Sequence, residues 1–140
     1  MAERDRSSPL VLVVEDFEDT RVMMRRFLEI SGCRVVEAAD GREAVERAES
    51  HRPQLIFMDL NLPVLDGFSA ALRLREHEAT RTVPIVAVTA YDTQEFRAAA
   101  RAVGCDDYVA KPIDLQKLRG LLDSYLPAPR AAATAEPVTS

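Results

Sequence analysis

Five short strand-like runs alternate with five segments of helical periodicity, and this alternation restricts the fold more than any other feature of the sequence. The strand-like runs lie at 10–14, 34–38, 55–58, 84–90 and 107–110. The helical segments lie at 19–31, 42–50, 65–77, 93–103 and 114–126. A run such as LVLVV is apolar at every position, which is typical of a strand buried on both faces. Strands that alternate with helices form parallel sheets covered by helices on both faces, so we predict an α/β domain.

The alternation predicts one domain over residues 9–126. The polar stretch 1–8 is expected to be a flexible lead. Residues 127–140, PAPRAAATAEPVTS, contain three prolines and no large apolar residue except Val138. Such a composition cannot bury enough apolar surface to stay folded, so this stretch is expected to be a disordered tail.

Composition narrows the class of protein. Apolar residues make up 47% of the 140 residues, and 23 acidic residues outnumber 18 basic ones, for a net charge of −5. This balance disfavours non-specific binding to nucleic acid. The sequence has no apolar run of about 18 residues and no apolar segment before Pro9, so we expect no membrane span, no signal peptide and a cytoplasmic protein. Cys33 and Cys105 are expected to be buried thiols rather than a disulfide.

A carboxylate stands at the end of the third strand-like run. In QLIFMDLNLPVLDG, residues 54–67, the apolar run is followed directly by Asp59. The Asp66–Gly67 pair then predicts a turn, as does Asp40–Gly41 earlier in the chain. Ligands of open parallel sheets bind at the carboxyl ends of the strands, where Asp59 is expected to lie. Such a carboxylate is suited to act as a nucleophile or a metal ligand, although by itself it is also compatible with a simple turn cap.

Other polar residues follow the remaining strand ends. Glu15 and Asp16 follow the first strand, Thr89 ends the fourth, and Lys111 follows the fifth. In a parallel sheet these ends share one edge, so three carboxylates, a hydroxyl and an ammonium should converge. Individually they also fit a helix cap, a strand-forming threonine and a solvated lysine, and it is their combination that indicates a site.

These side chains together are suited to binding a metal ion and an anion. Two carboxylates about 5 Å apart repel by roughly 3 kcal/mol at an effective dielectric constant of about 20, and Mg²⁺ would relieve that repulsion. The backbone carbonyl of Asn61 is a further candidate ligand. Lys111 and Thr89 could bind a phosphoryl group carried by Asp59. The glycine-rich phosphate-binding motifs GxxxxGK[ST] and GxGxxG are absent from the sequence, so the positive charge must come from metal and lysine.

Four segments of the chain together resemble the receiver domains of two-component response regulators. They are VLVVEDFEDTR, MDLNLPVLDG, PIVAVTA and YVAKP, and the resemblance extends over residues 9–126. It implies a flavodoxin-like fold in which a five-stranded parallel sheet has the order 2-1-3-4-5 and five helices cover both faces. Among receivers, the chain is most similar to the single-domain, chemotaxis type.

The resemblance also implies residue roles. Asp59 would be the phosphoacceptor, and Lys111 would pair with the phosphoryl group. Thr89 would move toward that group on activation, and Tyr108 would turn inward with it as an aromatic switch. The Mg²⁺ ligands would be Glu15, Asp16, Asp59 and the carbonyl of Asn61. Glu15 stands where many receivers have aspartate, so its longer side chain is expected to reach the metal through water.

Three further positions complete what the resemblance implies. Asn61 and Tyr91, each two residues beyond a site residue, would tune the lifetime of the phosphoryl group, with the Tyr91 ring shielding it from water. The peptide bond between Lys111 and Pro112 would be cis.

The function expected from these residues is that of a stand-alone phosphoacceptor and not of a turnover enzyme. The donor would be a histidine kinase or a histidine phosphotransfer protein. With no effector domain within these 140 residues, the output would pass through the α4–β5–α5 surface to another protein or to a second phosphorylated copy, without membrane or direct nucleic-acid binding. Three alternatives are a phosphoaspartyl hydrolase, an unphosphorylated binding module, and an α/β domain whose acids only cap helices. Asn61 cannot serve as the acid–base that the hydrolase would need at that position.

Overall fold

The computed structural model describes residues 8–62, 65–91 and 93–126. These residues form one five-stranded sheet in which every pair of neighbours is parallel, in the order β2-β1-β3-β4-β5. The strands are β1 Leu10–Val14, β2 Arg34–Ala38, β3 Leu55–Asp59, β4 Ile85–Thr89 and β5 Asp107–Ala110. The predicted strand order is confirmed. The predicted lead and tail at 1–8 and 127–140 lie, except for Ser8, outside the described residues.

A helix follows each strand. The helices are α1 Glu18–Ile30, α2 Gly41–His51, α3 Gly67–Glu76, α4 Gln94–Ala102 and α5 Leu115–Tyr125. In the described part of the chain, no helix combines the length and the apolar character needed to cross a membrane.

Alternate residues of the strands face two separate cores. On one face, Leu12, Ile56 and Ala87 pack with residues of α2, α3 and α4. On the other face, Val13 and Phe57 pack with residues of α1 and α5. Successive side chains of a strand point to opposite faces, and here both faces are covered. This explains why the three inner strands, β1, β3 and β4, lack the apolar and polar alternation of half-exposed sheets.

The two Asp–Gly pairs are helix starts and not the predicted turns. Asp40 caps α2 by accepting a hydrogen bond from the Glu43 amide at 2.8 Å, and Asp66 caps α3 by accepting one from the Ser69 amide at 2.9 Å. Because Asp66 occupies the cap position, α3 begins two residues after the predicted start at 65. An aspartate in a turn and an aspartate at a helix cap make the same kind of bond to a backbone amide a few residues ahead, which is why the sequence did not separate them.

Cys33 and Cys105 are both buried, and neither forms a disulfide within the described residues, as predicted. Burial is the main reason that the pKa of the Cys105 thiol rises from 9.0 to about 11, and the nearby Asp106 carboxylate adds to it.

Candidate functional site

The parallel register brings the predicted site residues to one edge of the sheet. Asp59 is the last residue of β3 and pairs with Val88 of β4, whereas Thr89, one position further along, pairs with Ala110 of β5. Lys111 follows β5 directly, and its amide donates to the Thr89 carbonyl at 2.8 Å. The edge therefore places the reactive groups of distant segments side by side, as the strand order requires.

Asp59 is buried, with 3% of its surface exposed, and both of its oxygens have a donor. Oδ1 accepts a hydrogen bond from the Asn61 amide at 2.9 Å, and Oδ2 accepts one from Lys111 Nζ at 3.2 Å. The main chain thus fixes one carboxylate oxygen, while the Lys111 ammonium holds the other.

Glu15 contacts the same Lys111 ammonium that Asp59 contacts. Its Oε2 accepts a hydrogen bond from the Phe17 amide at 3.1 Å, and its Oε1 lies 2.9 Å from Lys111 Nζ. That Oε1 is buried, and within the described residues Lys111 is the only partner found for it. Burial raises the pKa of the Glu15 carboxyl; the Lys111 hydrogen bond lowers it, and the charge of Asp59 raises it further.

Lys111 is held between two carboxylates. Burial by itself would lower the pKa of the Lys111 ammonium, but the hydrogen bond with Glu15 and the charges of Asp59 and Glu15 outweigh burial and raise it. The lysine is therefore charged at neutral pH and partly neutralises the acidic cluster.

The residues present fit a divalent cation. Carboxylate oxygens of Glu15, Asp16 and Asp59 all lie within 4.8 Å of one another. Three carboxylates and one ammonium leave a local charge of −2, and hard oxygen ligands of this kind suit Mg²⁺. The incompletely bonded Oε1 of Glu15 is a further available ligand atom. The contact recorded for Asn61 at this site is its amide to Asp59, so its role as a carbonyl ligand stays a prediction.

Thr89 and Tyr108 both make hydrogen bonds to the main chain of Tyr91. Thr89 is buried, and its Oγ1 accepts a hydrogen bond from the Tyr91 amide at 3.0 Å. The Tyr108 hydroxyl donates to the Tyr91 carbonyl, and the Arg97 guanidinium lies 5.0 Å from the centre of the Tyr108 ring. The structure thus joins the two predicted switch residues through one residue of the loop after β4.

The Tyr91 ring is not packed into the site. It is 51% exposed and stacks on Phe96 of α4, with 4.9 Å between ring centres and 15° between planes. The sequence analysis did not single out Phe96, although two aromatic residues five positions apart across a helix cap were a usable signal.

Gly67 is a second residue that the sequence analysis did not assign to the site. A Cβ at Gly67 would lie 2.3 Å from the carbonyl oxygen of Asp59 and 2.6 Å from Leu60 Cα. The Gly67 amide also donates to the Leu60 carbonyl at 3.2 Å. The first turn of α3 therefore rests directly on the backbone of the predicted phosphoacceptor. The Lys111–Pro112 peptide bond, on the other side of the site, is cis.

The family model of the response regulator receiver domain matches residues 11–123. The chain belongs to the response regulator receiver family. This receiver is 34% identical over 116 residues to the polar-differentiation response regulator DivK of Brucella anthropi, covering 83% of this chain and 94% of DivK. It is 38% identical over 133 residues to the transcriptional regulatory protein PrrA of Mycobacterium leprae, covering 95% of this chain but only 56% of PrrA. The receiver thus spans about half of PrrA.

Solved structures show the same fold. The receiver domain of sensor histidine kinase PA1611 from Pseudomonas aeruginosa, which holds a magnesium ion in its active site cleft, is 39% identical, with a TM-score of 0.79. The match covers 85% of this receiver and 98% of that chain. The receiver domain of Saccharomyces cerevisiae Ssk1, solved with the histidine phosphotransfer protein Ypd1, is 34% identical, with a TM-score of 0.80. That match covers 84% of this receiver and 88% of the compared chain.

Proposed function

We propose that this receiver accepts a phosphoryl group on Asp59 and signals through the change that the new charge causes. The observation that carries the proposal is the pair of contacts on Asp59. One oxygen is fixed by the Asn61 amide at 2.9 Å, and the other is 3.2 Å from the Lys111 ammonium. A buried carboxylate held in this way at the carboxyl edge of a parallel sheet is oriented for reaction with an incoming group.

The acidic cluster would bind Mg²⁺ through Glu15, Asp16 and Asp59, with the Asn61 carbonyl as a further ligand. When bound, the ion would offset negative charge on the transferring phosphoryl group. The local charge of −2 left by Lys111 and the three carboxylates supports this assignment, as does the magnesium ion in the cleft of the PA1611 receiver.

In the transfer step, a carboxylate oxygen of Asp59 attacks the phosphorus atom of a phosphohistidine. A bond forms between that oxygen and phosphorus, and the bond from phosphorus to the imidazole nitrogen breaks. The electron pair of the broken bond stays on the imidazole, whose departing nitrogen takes a proton from solvent water, so the donor is left as a neutral histidine. Positioning and charge neutralisation supply most of the catalysis in such transfers, and Lys111 is placed to contribute both.

The phosphoryl group would then redirect Thr89 and Lys111. Its oxygens accept hydrogen bonds, so the Thr89 hydroxyl would exchange its bond with the Tyr91 amide for one to phosphate. The Tyr108 hydroxyl donates to the Tyr91 carbonyl, so Tyr108 would move with that loop. The new contacts favour one of two pre-existing conformations of the α4–β5–α5 surface, which a target protein or a second phosphorylated copy would read.

The proposed donor is a histidine kinase or a histidine phosphotransfer protein, a class that the Ssk1–Ypd1 complex supports. A cytoplasmic location is part of the proposal, because two buried cysteines that form no disulfide within the described residues fit a reducing compartment. Each receiver takes up one phosphoryl group and loses it slowly, so the domain acts as a signalling element and not as a turnover enzyme.

The test is the intact mass of the protein after incubation with acetyl phosphate, with and without Mg²⁺. We expect a Mg²⁺-dependent gain of one phosphoryl group in the wild type and no gain in Asp59→Asn. Asp66→Asn is the matched control, because Asp66 is an exposed helix cap and asparagine caps helices equally well. A gain that survives in Asp59→Asn, or a wild type that never gains the group from acetyl phosphate or from a phosphorylated histidine phosphotransfer protein, would overturn the proposal.

A further inference from the structure

Arg21 of α1 contacts the main chain of Glu15. Its Nη1 donates a hydrogen bond to the Glu15 carbonyl oxygen at 2.9 Å, and its Nε donates one to Glu37 Oε1 at 3.0 Å. The Glu15 amide in turn donates to the Ala38 carbonyl at 3.0 Å. Both backbone polar groups of Glu15 are therefore linked to the end of β2. The amide bonds directly to Ala38, and the carbonyl is linked through Arg21 to the neighbouring residue Glu37.

We propose that Arg21 is a positioning residue that holds Glu15 in place for the divalent cation, an inference that rests on the proposed function. Glu15 is the most deeply buried member of the acidic cluster, with 1% of its surface exposed against 3% for Asp59, and a small rotation of its backbone would move its carboxylate away from Asp59. The planar guanidinium binds two acceptors in a fixed relative geometry, which an ammonium group cannot do. The side chains of Arg21 and Glu37 are 18% and 33% exposed, so their pairing is partly protected from solvent.

A second arginine also helps to hold Glu37 in place. Arg47 of α2 donates through Nη1 to the Glu37 carbonyl. Glu37 is therefore fixed at its carbonyl by α2 and at its carboxylate by α1. Glu37 in turn holds the Arg21 guanidinium in the position from which it donates to the Glu15 carbonyl.

Charge by itself predicts the opposite effect from positioning. Arg21 brings a positive charge beside Glu15, and removal of that charge should make the acidic cluster more attractive to a cation. A loss of cation affinity after removal of Arg21 therefore has to come from the lost hydrogen bond. The two interpretations differ in the sign of the change and not only in its size.

Arg25, one turn along α1, is a matched control. Its Nε lies 3.0 Å from Glu37 Oε2, and its Nη1 lies 3.3 Å from Glu29 Oε1. None of the contacts found for Arg25 within the described residues reaches Glu15. Arg25→Gln therefore removes the same charge and a pairing with the same glutamate while leaving the Glu15 carbonyl bonded.

The experiment is a calorimetric titration of Mg²⁺ into the wild-type protein and into the variants Arg21→Gln and Arg25→Gln, at low ionic strength. Loss of a residue that orients a metal ligand typically weakens affinity by about 10- to 100-fold, and we expect about tenfold for Arg21→Gln because it acts through the main chain. Arg25→Gln should bind Mg²⁺ as tightly as the wild type or slightly more tightly. Glu37→Gln keeps an acceptor for Arg21 and should stay close to the wild type.

A readout without metal accompanies the titration. Hydrogen exchange of the Glu15 amide, measured by NMR, should accelerate in Arg21→Gln and not in Arg25→Gln. Only the first variant removes the hydrogen bond to the Glu15 carbonyl, and a less restrained Glu15 backbone opens its amide bond to Ala38 more often.

Each contrary result has its own meaning. If Arg21→Gln binds Mg²⁺ as well as the wild type or better, the role of Arg21 is overturned and the proposed function stands. Equal weakening in both arginine variants also overturns it, because the loss would then follow the shared pairing with Glu37. If the wild type does not bind Mg²⁺, the metal assignment in the proposed function fails, and the metal-directed role of Arg21 fails with it.

Discussion

Substitution of Gly67 by alanine should damage the site without touching any charged residue. The new Cβ would lie 2.3 Å from the Asp59 carbonyl oxygen, about 1 Å short of the ordinary van der Waals contact that begins at 3.4 Å. The atoms in its way belong to the backbone of Asp59 and Leu60, so no side chain can rotate to make room. Either α3 must move outward or the end of β3 must move.

The expected size of the effect follows from that overlap. Inserting one methyl group into packed surroundings costs about 1–3 kcal/mol of unfolding free energy. A displacement of about 1 Å at a reacting group lowers rates by about 10²-fold. We therefore expect Gly67→Ala to have a lower unfolding free energy than the wild type in urea denaturation monitored by circular dichroism. We also expect it to accept a phosphoryl group from acetyl phosphate tens of times more slowly.

Gly120 provides the control for this substitution. A Cβ there meets nothing within 4 Å, so Gly120→Ala in α5 should stabilise the protein by about 0.5–1 kcal/mol through helix propensity. Its phosphorylation rate should match the wild type at a temperature where both variants are folded. A Gly67→Ala protein with wild-type stability and wild-type rate would refute the argument from close contact.

Three other perturbations have defined outcomes. Tyr91→Ala removes a ring that stacks on Phe96 and, if the ring shields the acyl phosphate, should shorten the lifetime of phosphorylated protein in a mass-spectrometric time course; an unchanged lifetime would reject the shielding role. Asp40→Ala removes the α2 cap bond to the Glu43 amide and should lower the unfolding free energy by about 1 kcal/mol, whereas Asp40→Asn should not. Cys105 has a pKa of about 11, so about 1% of it should be thiolate at pH 9, where an ordinary thiol is about half ionised. Iodoacetamide should therefore alkylate Cys105 slowly at that pH, which mass analysis of its peptide would show. The unfolded thiol ionises first, so Cys105 should also cause stability to fall as the pH rises from 9 to 11.

The parallel sheet and the convergence of the site followed from the sequence for the same reason, whereas the strand order came from the resemblance to receiver domains. Strands buried on both faces leave a strong apolar signal, and in a parallel sheet the residue after each strand is brought to a common edge. Glu15, Asp59 and Lys111 were therefore brought together correctly by topology alone, without any knowledge of loop conformation.

What the sequence left open depends on loops and on backbone contact. The two aspartate–glycine pairs were taken as turns because a turn and a helix cap use the same side-chain bond, and only the following helix distinguishes them. The close approach of Gly67 to Asp59 depends on how α3 is placed on the sheet, which periodicity does not specify. The contact of Arg21 with the Glu15 carbonyl depends on how α1 is oriented after β1, which periodicity does not specify either.

The bonds that join Thr89 and Tyr108 to Tyr91 have a consequence for how such a receiver can diverge. Both hydroxyls bind the peptide groups of residue 91 and not its side chain. Every amino acid except proline supplies the same N–H and carbonyl, so the side chain at this position is free to vary while the two switch residues stay connected. If the Tyr91 side chain tunes the phosphoryl lifetime and its main chain links the two switch residues, as proposed, selection could adjust how long the signal lasts without altering how it is passed on.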